Sequence, residues 1–121
     1  HTREEKEKDP PAFGVPGLET AVGLLFKAVK EKRIDENDVI KFLHTNPKKI
    51  FNIPDQQDTH VELDPEKEYS VGESGYETKC AWSPFEGWKL YGKVETVVIR
   101  GKRVIENGKI KNNLYAPGTI F

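Results

Sequence analysis

Methionine is absent from all 121 residues, cysteine occurs once, and neither sign of charge prevails. Each shortage removes a class of function. A lone Cys80 excludes an internal disulfide framework and any multi-cysteine zinc site, and predicts a buried, chemically idle thiol. Nineteen basic against 20 acidic side chains leave a formal net charge of −1, so no long-range field draws nucleic acid or an anionic membrane to the chain. Long apolar runs are missing as well. The longest, AVGLLF, has six residues where a bilayer crossing needs roughly 20. No signal-peptide pattern opens the sequence, which therefore reads as soluble and intracellular. The three histidines, His1, His44 and His60, never stand two or four positions apart, and no metal site within the chain is expected from them.

The missing start methionine predicts that processing or a cut made this terminus. His1 is then either an interior residue of something longer or the remnant of an affinity tag. Length points to one domain or a part of one. Abundant Lys and Glu beside absent Met is a bias of heat-adapted proteins.

Residues 1–12 lack helical and strand periodicity and predict a surface loop. Over residues 18–32 the apolar residues Leu18, Val22, Leu25 and Val29 recur at helical spacing, while Ala21, Leu24, Phe26 and Ala28 fill the other faces. A helix this apolar needs protein on several sides, so the chain is expected to lack part of its own core. A second helix is predicted from Asp35, its carboxylate capping the N–H of Asp38, with Ile34 and Val39 as a hydrophobic staple and Val39, Ile40 and Leu43 as the buried stripe beside Phe42. TNPKKIF predicts a fresh short helix with Asn46 as cap and Pro47 first, ended by Asn52-Ile53-Pro54. From Asp58 the period changes. HVELD alternates with Val61 and Leu63 inward, and KVETVVIRGKRVIENGKI reads as strands with a tight turn at Asn107-Gly108. Helices followed by strands describe an α+β arrangement or the tail of something larger.

Chemistry is sparse. His44 and His60 read as packing or capping residues. In AFGVPG, Gly14 and Gly17 leave backbone uncovered, Phe13 offers an aromatic face and Pro16 stiffens the approach to a helix, a design suited to holding a flat polar ligand by main-chain groups. On composition alone a rigid helix start is the simpler account. SPFEGW and the strand after it read as scaffold. Trp82, Phe85 and Trp88 are expected in a core or interface, because Glu77, Glu86 and Glu95 offset the basic residues that base stacking would need.

Taken in order, HTREEK, PPAFGVPGLETAVGLLFKAV, LHTNPKKIF, DTHVELD, TKCAWSPFEGW and GKVETVVIRGKRV resemble the C-terminal third of a dihydroorotase, in the cyclic amidohydrolase superfamily. The likeness is nearest to the class of the animal multifunctional pyrimidine protein and the archaeal enzymes. It implies an α/β fold: the last βα loop and helices of a (β/α)8 barrel in residues 1–57, then strands of a small composite β-domain in 58–121. It implies reversible hydrolysis of dihydroorotate to N-carbamoyl-aspartate in pyrimidine biosynthesis, in the cytoplasm. His1 resembles the family's histidine for the substrate carboxylate, and Phe13-Gly14 its loop pair that hydrogen-bonds the ring. No catalytic residue or metal ligand matches inside the chain. The two zinc ions and the catalytic Asp, four residues before His1, belong to the upstream barrel, which is the implied partner together with the small-molecule substrate and aspartate transcarbamoylase. A hydantoinase-like enzyme, an inactive dihydroorotase-like protein and an independent binding module are the alternatives.

Overall fold

Thr2 and Glu5 close the first turn of the chain on each other. The Thr2 hydroxyl accepts from the Glu5 N–H (3.2 Å) and the Glu5 carboxylate accepts from the Thr2 N–H (2.7 Å). This capping box satisfies two backbone donors at the start of a helix. The result is α1 (Arg3–Lys6), where the periodicity predicted a loop; four residues are too few for a pattern to register. The computed structural model describes residues 1–111.

Helix α2 (Ala21–Lys30) is shorter than the apolar pattern suggests. Thr20 and Ala21 both donate to the Gly17 carbonyl, so residues 18–20 form a turn that leads into the helix and leave Leu18 outside it, 89% exposed. At the other end Lys32 takes a positive φ of 57°, and the Arg33 N–H reaches back to the Ala28 carbonyl at 3.0 Å. That pairing satisfies a carbonyl the helix leaves free.

Asp35 caps α3 (Glu36–Ile40) as expected, its carboxylate 2.9 Å from the Asp38 N–H. The next segment departs from expectation. No cap interrupts the chain at Asn46; a π-helical turn (Lys41–Thr45) carries α3 directly into α4 (Asn46–Ile50), and the Asn46 N–H bonds the Lys41 carbonyl. Pro47 supplies the reason. In a regular α-helix its ring meets the carbonyl four residues back, and the wider turn ahead of it gives that carbonyl room. Of the stripe predicted for this face only Val39 is buried, while Ile40, Phe42 and Leu43 are exposed.

Among the described residues six strands follow: β1 (His60–Asp64), β2 (Tyr69–Ser70), β3 (Lys89–Leu90), β4 (Lys93–Ile99), β5 (Lys102–Glu106) and β6 (Lys109–Ile110). They make an antiparallel four-stranded sheet in the order β1-β4-β5-β6 and a two-stranded ribbon of β2 with β3. Asn107 and Gly108 take the positive φ values, 52° and 72°, of the expected hairpin turn. Arg100 and Gly101 make a second such turn, at 50° and 76°. Leu63 is half-buried, but Val61, expected inward, is exposed on β1, which lies at the sheet edge among the described residues. The residue that the core closes around is Leu90, fully buried, with Phe26, Ala28, Val71 and Trp82 also buried. Gly23 of α2 admits it: a Cβ there would stand 2.9 Å from the Leu90 side chain and 2.3 Å from the Tyr69 hydroxyl. Among the described residues no helix is long and apolar enough to cross a membrane.

Candidate functional site

The helix-start loop, α1 and the TKCAWSPFEGW segment meet at one end of the molecule. Three ties hold them there. Lys6 Nζ donates to the carbonyl oxygens of Ala12 (2.7 Å) and Gly14 (3.0 Å), binding the AFG loop to α1. Glu19 accepts from the N–H of Glu77 (3.1 Å), the N–H of Thr78 (2.9 Å) and the hydroxyl of Thr78 (2.6 Å). The Trp82 indole N–H donates to the His1 carbonyl oxygen at 3.2 Å, and the two rings lie 5.7 Å apart, tilted by 47°.

Glu19 is the electrostatic centre of this arrangement. Burial by itself pushes its pKa up, but the hydrogen bonds from the Thr78 side chain, the Thr78 backbone and the Glu77 backbone outweigh that and hold the carboxyl below its ordinary value. The Cys80 thiol donates to the same Thr78 hydroxyl at 3.3 Å. Cys80 is therefore partly exposed and hydrogen-bonded, not the buried bystander expected from its isolation.

A cleft of about 230 Å3 opens between residues 16–20 on one wall and Tyr76, Thr78, Cys80, Trp82 and Ser83 on the other. His1, Phe13 and Gly14 lie outside its lining. Phe13 is 97% exposed, and Gly14, with φ 83°, has open space where a Cβ would stand. His1 is exposed as well. Ala12 and Gly14 are tied to α1 and His1 precedes it, so the loop and the histidine flank one four-residue helix. No direct contact joins their side chains among the described interactions.

Glu19 and Thr78 escaped the sequence reading, and Trp82 was expected only as a core or interface aromatic, not as a partner of His1. Their hydrogen bonds span separations of 59 and 81 residues, which no local pattern encodes. The aromatics divide: Trp82 is buried, whereas Trp88 is exposed and packs edge-on against Phe85 with centroids 5.2 Å apart. His60 sits on β1 with Nε2 3.5 Å from the Glu62 carboxylate. Among the described residues no three His, Cys, Asp or Glu side chains gather as a metal ligand set.

No protein-family profile matches the chain. Individual proteins do. The multifunctional protein pyr1-3 of Dictyostelium discoideum is 44% identical over 110 residues, 91% of this chain and 5% of that protein. The dihydroorotase of Thermococcus kodakarensis is 41% identical over 116 residues, 91% of this chain and 28% of the enzyme. The chain is related to a segment of dihydroorotases. Among solved structures, the inactive dihydroorotase-like domain of a Chaetomium thermophilum CAD-like multifunctional protein superposes with a TM-score of 0.66 at 33% identity, covering 76% of this chain and 26% of that one. The match to the dihydroorotase thus spans a little over a quarter of that enzyme. The likeness agrees with the mixed helix and sheet architecture found here.

Proposed function

We propose that the chain is the C-terminal segment of a dihydroorotase and supplies substrate-binding groups to a site completed by an upstream barrel. Residues 1–57 then carry the last βα loop and terminal helices of that barrel, and the strands after residue 58 belong to the composite β-domain, whose expected span to residue 121 runs outside the described residues from 112 onward. The observation that carries the reading is the sequence identity of about two in five to dihydroorotase along 91% of the chain. The exposed apolar side chains Phe13, Leu18, Ile50 and Phe51 support it, since such groups call for a covering surface.

In this reading His1 binds the carboxylate of dihydroorotate, and the main chain at Phe13-Gly14 hydrogen-bonds the ring, so that the cyclic amide is held for hydrolysis to N-carbamoyl-aspartate. Gly14 has no Cβ, and nothing lies within 4 Å of where one would stand, so its main chain is open to a ligand. Lys6 fixes the height of that loop by its grip on two carbonyls. The two zinc ions that the resemblance implies, their ligands and the catalytic Asp are assigned to the upstream barrel. The protein acts in the cytoplasm in pyrimidine synthesis, beside linked activities such as aspartate transcarbamoylase.

Similarity to a domain described as inactive favours a second reading, a dihydroorotase-like scaffold without turnover. Assay of the full-length protein with dihydroorotate, hydantoin and allantoin separates them. Turnover of dihydroorotate alone is expected. Preference for another ring would indicate a different amidohydrolase, and absence of all turnover in zinc-replete protein the scaffold.

A further inference from the structure

Trp82 has an environment unlike that of the other exposed or packed aromatics. It is 7% exposed, its indole N–H is spent on the His1 carbonyl, and its ring lies against the imidazole. The segment that carries it is pinned on both sides. Upstream, Glu19 fastens Thr78, the Ala81 N–H closes on the Thr78 carbonyl at 3.0 Å, and Ala81 turns the chain with a φ of 53°. Downstream, the buried Ser83 accepts from the Phe85 N–H at 3.2 Å, and the Glu86 carboxylate pairs with Arg3 of α1 at 2.6 Å. On the other side of the contact, the Thr2 capping box fixes the residue next to His1.

We propose that Trp82 is a positioning residue for His1: its indole N–H and ring set the backbone and the tilt of the histidine, so that the imidazole meets the substrate carboxylate in one orientation. The inference rests on the reading of His1 as the carboxylate-binding residue. It gives the TKCAWSPFEGW segment a part in substrate binding although none of its side chains is assigned a contact with the ring. Histidine is otherwise free to rotate. An exposed side chain at the start of a four-residue helix has few neighbours, and a binding group must be held within a fraction of an ångström to act well.

The test is a double-mutant cycle in the full-length enzyme, reading KM and kcat for dihydroorotate, the Kd of N-carbamoyl-aspartate by calorimetry, and the melting temperature. Trp82→Phe keeps most of the ring and deletes the donor. Loss of one neutral hydrogen bond of this kind predicts KM and Kd raised about threefold to tenfold, with kcat nearly held. In a His1→Ala background the same substitution should add nothing, since residues acting through one another are not additive. Should phenylalanine leave the melting temperature well below wild type, β-(3-benzothienyl)alanine introduced at position 82 replaces the N–H by sulfur in an isosteric ring, and the same cycle is read. Unchanged KM and Kd, or effects that multiply with His1→Ala, would overturn the positioning role while leaving the substrate role of His1 intact. A silent His1→Ala would overturn both.

Discussion

The carboxylate of Glu19 and the hydroxyl of Thr78 meet at 2.6 Å across 59 residues of sequence. One oxygen of that carboxylate also takes the Thr78 N–H, so the start of α2 and the loop leading to Trp82 are a single hydrogen-bonded unit. Because Glu19 titrates below its ordinary value when folded, it contributes stability that is complete above the unfolded value of about 4.3. That contribution is lost as pH falls through the lower folded value. Glu19→Gln should therefore lower the melting temperature at neutral pH, and the gap to wild type should close as pH is taken below about 4. Thermal melts across that range check it. A gap that does not change with pH would place the effect elsewhere.

At Gly23 two effects oppose each other. Alanine favours a helix over glycine by about 1 kcal/mol. Here its Cβ would stand 2.3 Å from the Tyr69 hydroxyl and within 3.0 Å of Leu90, and overpacking of this kind costs about 1–3 kcal/mol. Gly23→Ala should be net destabilising in denaturant unfolding. Adding Tyr69→Phe should recover part of the loss, the remainder belonging to Leu90. A stabilised Gly23→Ala would mean that the interior gives way easily.

The proposed role of Gly14 predicts that folding and binding separate there. Nothing lies within 4 Å of its missing Cβ, so a side chain meets no clash; the φ of 83° alone penalises it, by about 1–2 kcal/mol for alanine. In the full-length enzyme Gly14→Ala should shift the melting temperature by a few degrees while weakening dihydroorotate use by about tenfold or more. Equal loss of stability and activity would return the loop to a structural helix start.

Uncovered apolar surface makes a further prediction. Phe13, Leu18, Ile50 and Phe51 are all more than 70% exposed, and each such side chain forgoes roughly 1.5–3 kcal/mol relative to burial. Several together rival the ~5–15 kcal/mol that stabilises an ordinary domain. Residues 1–121 produced alone should bind a hydrophobic dye and aggregate, and should melt cooperatively only after mixing with the rest of the enzyme. A monomeric chain with a sharp melt and no dye binding would contradict this.

What the sequence revealed was local. The Asp35 cap and the Asn107-Gly108 turn each depend on a few adjacent residues, and both stand where their residues placed them. The π-turn before Pro47 was missed because Asn-Pro also signals a new helix start, and only the backbone distinguishes the two. The ribbon of Tyr69–Ser70 with Lys89–Leu90 has too few residues per strand to show alternation. At the candidate site His1 came from resemblance, and Phe13 and Gly14 from resemblance added to a loop composition that by itself favoured a rigid helix start. The groups around them, Lys6, Glu19, Thr78 and Trp82, became visible only when the chain folded back on itself.

The most direct measurement is kcat/KM for dihydroorotate in the full-length enzyme with and without the His1 imidazole. If this chain furnishes the carboxylate-binding group, His1→Ala lowers kcat/KM at least tenfold, about 1.4 kcal/mol or more of transition-state binding, without a comparable fall in melting temperature. An unchanged kcat/KM would contradict the assignment of His1 to the substrate.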